Sequence, residues 1–386
     1  MTNNSLSGKK YFALNDDQRL NWLRLIRSQN VGPATFRDLI SHYGTAELAL
    51  EAIPELAKRG GAAAKIKVFS RDDAEREMAL ARHYGAHFLG IGEPEYPVNL
   101  RNAEGAPPLL CFRGSQNALK QQSLAIVGSR NSSIAGMKIT ERLSGQIGRE
   151  GYIIVSGLAR GIDTAAHKAA LSTGTVAVFA GGVDHVFPPE NMELASAILG
   201  NEGALVSEMP MGWQPRAKDF PRRNRIITGL AKAVLVVEAA RKSGSLITAR
   251  IANEMGRTVL AIPGSPLDPR SHGTNNLIRE GATLVTSMED IIEAISPLDG
   301  PGEDSENMVS EGENDIFEHD SYKKDDLPME IREKIISALG PSPVLIDDIL
   351  EFTGATPGEL HLTLLELSLA GKLERHPGGL VSTIDI

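Results

Sequence analysis

The chain has 386 residues, of which 41% are hydrophobic and 23% are charged. This length predicts more than one domain, and the apolar content is sufficient for a buried core. The single cysteine, Cys111, excludes a disulfide framework and multi-cysteine metal or iron–sulfur sites. The sequence has no apolar run of transmembrane length and no apolar leader, so we expect a cytoplasmic protein that does not enter a membrane. Taken as a whole, the net charge of −9 argues against nucleic acid as a partner.

The charge is divided unevenly between two segments. Residues 297–327 contain eleven acidic and two basic residues and therefore carry the whole net charge of −9. Few apolar residues and strong like charge predict an acidic disordered linker there. Residues 214–250 contain nine basic and two acidic residues, a net charge of +7. The overall acidity therefore describes the linker, and the local positive charge restores nucleic acid as a candidate partner.

The N-terminal residues 11–84 have the helical spacing that predicts a small helical domain. Two short helices meet at the turn Asn30-Val31-Gly32-Pro33, which resembles a helix–hairpin–helix or SAM-like unit. In such a unit the turn amides and the next helix N-terminus can face a phosphate, whereas the alternative is a plain packing bundle. A further polar helix is predicted over residues 62–84.

Residues 85–296 alternate apolar strands with helices. Continuous apolar strands such as AVLVVEA are typical of a sheet that is buried on both faces. Helices between successive strands predict right-handed crossovers and a doubly wound, mostly parallel α/β sheet.

Residues 328–386 contain three predicted helices followed by two short strands, which is the order of a winged-helix domain. The third helix, TPGELHLTLLELSLAG, has two acids and no Arg or Lys before Lys372. This charge is unfavourable for phosphate binding, so we favour protein interaction over DNA binding for this domain.

The turns that follow the predicted strands are rich in glycine and small polar residues. Since ligands bind at the carboxyl ends of the strands in a doubly wound sheet, these turns form one rim. Glycine lets the backbone approach an anion closely, and Arg130 and Arg160 can pair with phosphate. The rim is therefore predicted to bind phosphate through the turns Gly128-Ser129-Arg130, Gly157-Leu158-Ala159-Arg160-Gly161, Gly181-Gly182, Ser243-Gly244-Ser245 and Pro263-Gly264-Ser265.

The basic segment RAKDFPRRNR contains one aromatic residue, Phe220. Pro221 predicts that a helix begins there, with Arg222 and Arg225 on one face. An aromatic ring among cations is typical of single-strand binding, in which a base stacks on the ring. The alternative is that Phe220 packs beneath the start of the helix.

No motif of a common enzyme class occurs in the sequence. G-x-G-x-x-G, the Walker A motif and the G-x-S-x-G elbow are all absent. Asp163 is predicted to be a helix N-cap and His167 a packed helix residue. Because no nucleophile, base or metal-ligand set can be assembled, we expect neither catalysis nor a cofactor or metal.

Several motifs in one order resemble the DprA/Smf family, the DNA-processing proteins of natural transformation. They are EPEYPVNL, PPLLCFRG, AIVGSR, VSGLARGID, FPRRNRIITGL, VVEAARKSGSLITA and AIPGSP, all within residues 86–296. The resemblance implies an extended Rossmann-like domain that binds single-stranded DNA, protects it and loads RecA onto it without catalysis. It also implies a homodimer formed through this domain.

The resemblance further implies a DNA pocket around the G-S-R turn and the basic helix. Its residues here are Gly128, Ser129, Arg130, Lys218, Phe220, Arg222, Asn224 and Arg225. Either Arg216 or Lys218 matches the family's lysine, because WQPRAKDF permits two registers. Arg160, Ser243 and Gly244 are added to the predicted DNA site from the rim turns.

Two other functions are compatible with parts of the sequence. Rossmann-like phosphoribohydrolases that process nucleotides combine a P-G-G-x-G-T loop with a glutamate. This chain has Glu238 with Ser243-Gly244-Ser245, so that loop is incomplete. The other alternative is an adaptor that acts only through the winged helix.

Overall fold

The computed structural model describes residues 13–296, 328–376 and 378–384. These residues form two compact units, one of residues 13–15 and 79–296 and the other of residues 16–78 and 328–384. The predicted linker, residues 297–327, lies outside the described residues, and the domain boundaries drawn from the sequence remain predictions. Within the described ranges, no helix has both the length and the apolar character needed to cross a bilayer.

The two units contain sixteen α-helices and twelve strands among the described residues. The helices are α1 Asp16–Arg27, α2 Pro33–Tyr43, α3 Ala46–Arg59, α4 Arg71–His83, α5 Val98–Arg101, α6 Gln116–Lys120, α7 Ile134–Arg149, α8 Ile162–Ala169, α9 Met192–Gly200, α10 Asp219–Leu230, α11 Gly244–Glu254, α12 His272–Arg279, α13 Met288–Ile295, α14 Met329–Ala338, α15 Ile346–Thr353 and α16 Pro357–Leu369. The strands are β1 Ala86–Gly90, β2 Leu109–Gly114, β3 Ser123–Val127, β4 Ile153–Ser156, β5 Thr175–Val178, β6 Ala204–Ser207, β7 Ala233–Val236, β8 Thr258–Ala261, β9 Thr283–Leu284, β10 Val344–Leu345, β11 Leu373–His376 and β12 Leu380–Thr383.

The first unit is built on a nine-stranded sheet in the order β1-β2-β6-β5-β4-β3-β7-β8-β9. Strands β3 to β9 are parallel to one another, and β2 is antiparallel to both β1 and β6. The chain proceeds outward from β3 to β6 and then returns through α10 to β7, beside β3. The strand order therefore reverses between β3 and β7, where ligands bind in such sheets.

The core of this unit lies between the sheet and its helices. Every residue of β3 and β7 is buried, as expected for strands covered on both faces. Leu143 and Ile147 of α7 pack into the same core as Ile126, which attaches this helix to the sheet. The predicted mostly parallel α/β fold is confirmed.

The second unit contains α1 to α3 and the winged-helix elements α14 to α16 with β10 to β12. The strand order β10-β12-β11 is antiparallel. Helix α16 begins with a capping box, in which Thr356 and Glu359 bind each other's backbone amides, and Pro357 is its first residue. Leu360, Leu364 and Val381 lie in the winged-helix core. The predicted winged-helix order is confirmed.

The helix predicted over residues 62–84 begins only at Arg71, so the first part of that prediction is wrong. Gly61 has a φ of +78°, a left-handed conformation that ends α3. The chain then runs beside Gln29. The backbone N–H of Gln29 donates to the Lys67 carbonyl, and its side-chain oxygen accepts from the Lys67 backbone N–H. These contacts give the backbone of this segment partners outside a helix.

Candidate nucleic-acid interface

Two glycine turns of the rim pack directly on each other. The amide of Ile162, at the start of α8, donates to the carbonyl of Ser129 at 3.2 Å. Gly161 has a φ of +74°, and a Cβ there would lie 2.3 Å from the same carbonyl oxygen. Glycine is therefore required at this position both for the backbone conformation and for the close approach. The turn after β3 and the turn after β4 form one continuous surface.

A buried cation holds the turn after β4 from below. Nη1 of Arg223 donates to the carbonyls of Gly157, at 2.8 Å, and Val178, and the residue is only 6% exposed. Burial lowers the pKa of Arg223 to about 10, so the guanidinium remains protonated at pH 7. Arg223 therefore fixes the strand ends of β4 and β5 and is not available to a ligand.

Asp163 completes this support, in a role that differs from the predicted N-cap. Gly161 occupies the cap position, and Oδ2 of Asp163 accepts hydrogen bonds from the amides of Gly157 at 3.1 Å and Ala159 at 3.3 Å. Burial raises the pKa of Asp163, and the Arg223 cation opposes that shift. The N-cap prediction is wrong, because the carboxylate binds backbone amides of the preceding turn and not those at the start of α8.

His167 is fully buried, as predicted for a packed helix residue. Its Nδ1 lies 2.7 Å from the hydroxyl of Thr175, which itself donates to the Ile154 carbonyl. Since that hydroxyl proton is used, Nδ1 of the neutral imidazole is the donor. Burial, followed by the Arg223 cation, lowers the pKa of His167 to about 3. The ring is therefore a neutral structural group.

Three side chains form an open aromatic–cation cluster above these turns. The guanidinium carbon of Arg130 lies 5.2 Å from the centroid of the Phe220 ring, within the range of a cation–π contact. Phe187 packs edge-on against Phe220, with ring centroids 5.6 Å apart, and is 46% exposed. Arg130 is exposed and Phe220 is half-buried. This set, Arg130, Phe187 and Phe220, is called the aromatic cluster below.

Phe187 was missed by the sequence reasoning. It lies in the segment Val183–Pro188, between the predicted turn Gly181-Gly182 and the helical residues Pro189–Asn191. Its only signal in the sequence was an aromatic residue beside two prolines after a rim turn.

Arg160, on the neighbouring turn, forms an ion pair with Glu190 and keeps 65% of its side chain exposed.

Helix α10 begins at Asp219, two residues before the predicted start at Pro221. The Asp219 carboxylate accepts hydrogen bonds from the indole of Trp213 at 3.0 Å and from the amide of Arg216 at 2.9 Å. These bonds draw Asp219 into the first turn and leave Lys218 exposed at the cap position. Arg216, the other candidate for the position of the family's lysine, lies over the ring of Trp213, with its Cζ 4.4 Å from the ring centroid.

The shared face predicted for Arg222 and Arg225 is confirmed, because both contact the carboxylate of Glu208. Nε of Arg222 lies 3.1 Å from Oε1, and Nη2 of Arg225 contacts Oε2. Arg225 also donates to the Gly105 carbonyl and is largely buried, whereas Arg222 keeps 49% of its side chain exposed. Asn224 is buried. The exposed cations of the described segment 214–225 are therefore Arg216, Lys218 and Arg222.

At the strand reversal, Glu238 is already engaged. Its two oxygens accept the hydroxyl proton of Ser133 at 2.5 Å and the Ser133 amide at 2.9 Å. Ser133 caps α7, and a Cβ on Gly136 would lie 2.6 Å from the Glu238 carboxyl carbon. Ser243 caps α11, with Gly244 as its first residue. Across the described ranges, no cluster of His, Cys, Asp or Glu could hold a metal.

Three family models together match most of the chain. The model described as DNA recombination-mediator protein A matches residues 87–296. The chain belongs to the DprA/Smf family. The DprA-like N-terminal HHH domain matches residues 16–79, and the DprA winged helix domain matches residues 325–379.

Individual relatives agree with this family assignment. Protein Smf of Synechocystis is 32% identical over 92% of this chain and 96% of its own length. Protein Smf of Escherichia coli is 38% identical over 81% of this chain and 82% of its own. DNA processing protein DprA of Streptococcus pneumoniae is 48% identical over 51% of this chain and 70% of its own length.

Two solved structures of family members resemble this one. The X-ray structure of DprA from Streptococcus pneumoniae has a TM-score of 0.54 and 40% identity, covering 62% of this chain and 86% of that chain. A Helicobacter pylori DprA structure, described in terms of its single-stranded DNA binding mode, has a TM-score of 0.50 and 26% identity. It covers 55% of this chain and 96% of that chain. The extended Rossmann-like fold with helical and winged-helix domains is confirmed.

Proposed function

We propose that this protein binds single-stranded DNA along the rim of its parallel sheet, protects the strand, and delivers it to RecA without catalysing a reaction. Relatives in the family are named for DNA processing, and single-stranded DNA binding is described for the Helicobacter pylori member. The observation that carries the proposal for this chain is the aromatic cluster, in which an exposed cation covers a ring beside glycine turns.

The chemistry of the cluster suits a strand rather than a duplex. The rings of Phe220 and Phe187 offer faces on which an unpaired base can stack, and such stacking contributes about 1–3 kcal/mol per base. Arg130 can bind the adjoining phosphate, and Arg160, Lys218 and Arg222 continue the positive charge on either side. In a duplex the bases are already stacked on one another, so the rings would have no role.

Support for a non-catalytic role comes from the groups that a nucleotide-processing enzyme would need. Glu238 holds the cap of α7 through Ser133, and Asp163 and His167 are buried in structural bonds. The rival nucleotide-hydrolysing function requires a free carboxylate at this position. Incubating the protein with nucleoside monophosphates and measuring released base checks this directly, and turnover would favour the rival.

The DNA-binding proposal is tested by fluorescence anisotropy with labelled oligo-dT and with a duplex of equal length. Arg130→Ala is compared with Arg149→Ala, a matched control, because Arg149 is exposed at the opposite end of α7. We expect the first variant to weaken single-strand binding and to reduce the slope of log K against log salt by about 0.7, the value for one phosphate contact. We expect the control to match the wild type. Equal affinities in all three proteins, or an affinity that does not fall with salt, would contradict the proposal.

Delivery to RecA and dimerisation through the Rossmann-like domain are the finer parts of the proposal. RecA-catalysed strand exchange on DNA coated with single-strand-binding protein measures delivery, and the wild type should shorten its lag. Sedimentation analysis of the full chain measures the dimer. An unchanged lag at saturating protein, or a monomer at micromolar concentration, would reject the respective part while leaving DNA binding intact.

A further inference from the structure

Helix α16 of the winged helix is buried on two sides. Leu360, Leu364 and Leu367 face the core of their own domain. Leu365 and Leu369 are also buried, at 1% exposure each, although they lie outside that core cluster. Helices α2 and α3 of the N-terminal helical domain contact α16 in the same compact unit.

The two sides approach each other closely at Gly60, directly after α3. A Cβ at this position would lie 2.0 Å from the carbonyl oxygen of Glu366 and 2.9 Å from the Cβ of Ala370. The φ of Gly60 is −66°, which any residue can adopt. The backbone therefore does not require glycine at residue 60, and the absence of a side chain serves the contact with α16.

Polar groups fix the orientation of this contact. Nδ2 of Asn30 donates to the Leu369 carbonyl at 2.9 Å, which satisfies one of the open carbonyls at the end of α16. Nη2 of Arg375 on β11 lies 2.6 Å from Oδ2 of Asp38 on α2. Within the winged helix, Nη2 of Arg332 on α14 pairs with the buried Oε2 of Glu366 at 3.0 Å, and the same nitrogen donates across the contact to the Arg59 carbonyl.

These contacts involve both elements of this unit that could otherwise be assigned to DNA. In helix-turn-helix proteins the second helix of the motif enters the major groove, and in this winged helix, where α15 and α16 form the motif, that helix is α16. The turn at Asn30 is where a helix–hairpin–helix unit would face a phosphate. Here Asn30 binds the end of α16, and a Cβ on Gly371 would lie 3.1 Å from Nδ2 of Asn30.

We propose that the outer face of α16 is a protein-docking surface whose partner is the N-terminal helical domain of the same chain. The pair forms a clasp, defined by α2 and α3 on one side and α16 and β11 on the other, and neither side is a duplex-binding element while it is closed. The two sides come from opposite ends of the sequence, so the clasp closes the chain into a loop. This inference is independent of the DNA-binding rim, which belongs to the other unit.

The test removes the covalent connection and asks whether the clasp holds. A specific protease site is inserted within residues 302–327 of the full chain, and the cleaved protein is passed over a size-exclusion column at micromolar concentration. We expect the wild-type fragments to co-elute at the mass of the uncleaved protein run on the same column. Separate elution of the two fragments would overturn the proposal.

Gly60→Ala places a methyl group against the Glu366 carbonyl and is expected to weaken fragment association about 10-fold or more. The matched control is Gly32→Ala in the same domain, because a Cβ at Gly32 meets nothing within 4 Å. Equal association of these two variants would contradict the proposed contact. Circular dichroism of both variants confirms that the helices are folded.

A charge exchange makes the test independent of any folding defect in Gly60→Ala. Asp38→Arg and Arg375→Asp should each weaken association, and the double variant should recover it. Failure of the double variant to recover would count against the pairing of Asp38 with Arg375 across the clasp. Finally, a 20-base-pair duplex is added to the cleaved wild type; release of the C-terminal fragment by the duplex would show that α16 prefers DNA and would overturn the assignment of its partner.

Discussion

Because Arg223 packs directly beneath the turn after β4, we expect Gly157→Ala to destabilise the protein. A Cβ on this residue would lie 2.3 Å from Nη1 and 2.6 Å from Cζ of Arg223. The guanidinium has little room to retreat, because it is buried and donates to the carbonyls of Gly157 and Val178. The backbone of Gly157 lies outside the left-handed region, so any loss of stability in Gly157→Ala would report the collision and not a strained φ.

The magnitude follows from the packing of a rigid neighbour. Forcing one extra methyl group into a filled interior costs about 1–3 kcal/mol. If Arg223 is displaced, each lost hydrogen bond of its charged group adds about 1.5–3 kcal/mol. For a unit of this size, 1 kcal/mol corresponds to about 2–4 °C in melting temperature, so we expect a decrease of at least about 2–12 °C.

Thermal unfolding followed by circular dichroism measures this loss, and hydrogen exchange locates it. Gly200→Ala is the control, because a Cβ on Gly200, at the end of α9, meets nothing within 4 Å. In Gly157→Ala the amides of Gly157 and Ala159, which bind the Asp163 carboxylate, should exchange faster. Equal melting temperatures and equal exchange in the two variants would refute the placement of Arg223 beneath the turn.

Three further predictions concern other groups of the same unit. An unfolded histidine takes up a proton below about pH 6.5, whereas His167 resists protonation down to about pH 3. The free energy of unfolding therefore decreases as the pH is lowered across this range, by about 2 kcal/mol between pH 6.5 and 5. His167→Asn should flatten this dependence in urea titrations at the two pH values, and an unchanged dependence would contradict the prediction. Phe220→Leu should weaken oligo-dT binding about 5- to 150-fold in anisotropy titrations while melting like the wild type; a lower melting temperature with unchanged affinity would instead mean that the ring only packs beneath α10. Glu238→Ala removes both acceptors of Ser133 and should lower the stability by about 1.5–3 kcal/mol in urea unfolding; no change would show that α7 does not depend on this cap.

The order of elements in both units could be predicted from the sequence, because the signals are local and repeated. Strands such as β7 are apolar throughout and short, and the intervening helices have caps and glycine stops. The turns of the rim could be placed for the same reason, since the carboxyl ends of parallel strands share one edge. The segment after Gly61 was predicted wrongly because its backbone partner, Gln29, is more than thirty residues away.

The buried support of the rim was not visible in the sequence, and the reason is chemical. Arg223 and Asp163 are residue types that are ordinarily exposed, so a sequence-based interpretation assigns them to a surface or to a cap. Here both are buried, each beside the other's charge and each bonded to the backbone of the same turn. Their burial depends on the crossing of α10 over β4 and β5, a tertiary relation that no local pattern reports.

The same limit applies to the charge count of the basic segment, and it changes how that segment should be interpreted. Of the arginines in FPRRNR, Arg223 is buried and Arg225 is held by Glu208 and the Gly105 carbonyl. Only Arg222 remains half-exposed, and it shares Glu208. Local positive charge therefore overstates what a phosphate can reach, because part of it holds the fold together. In the proposed strand-binding site the exposed cation on the ring is Arg130, which lies outside the segment, and the segment contributes to that site chiefly through the ring of Phe220.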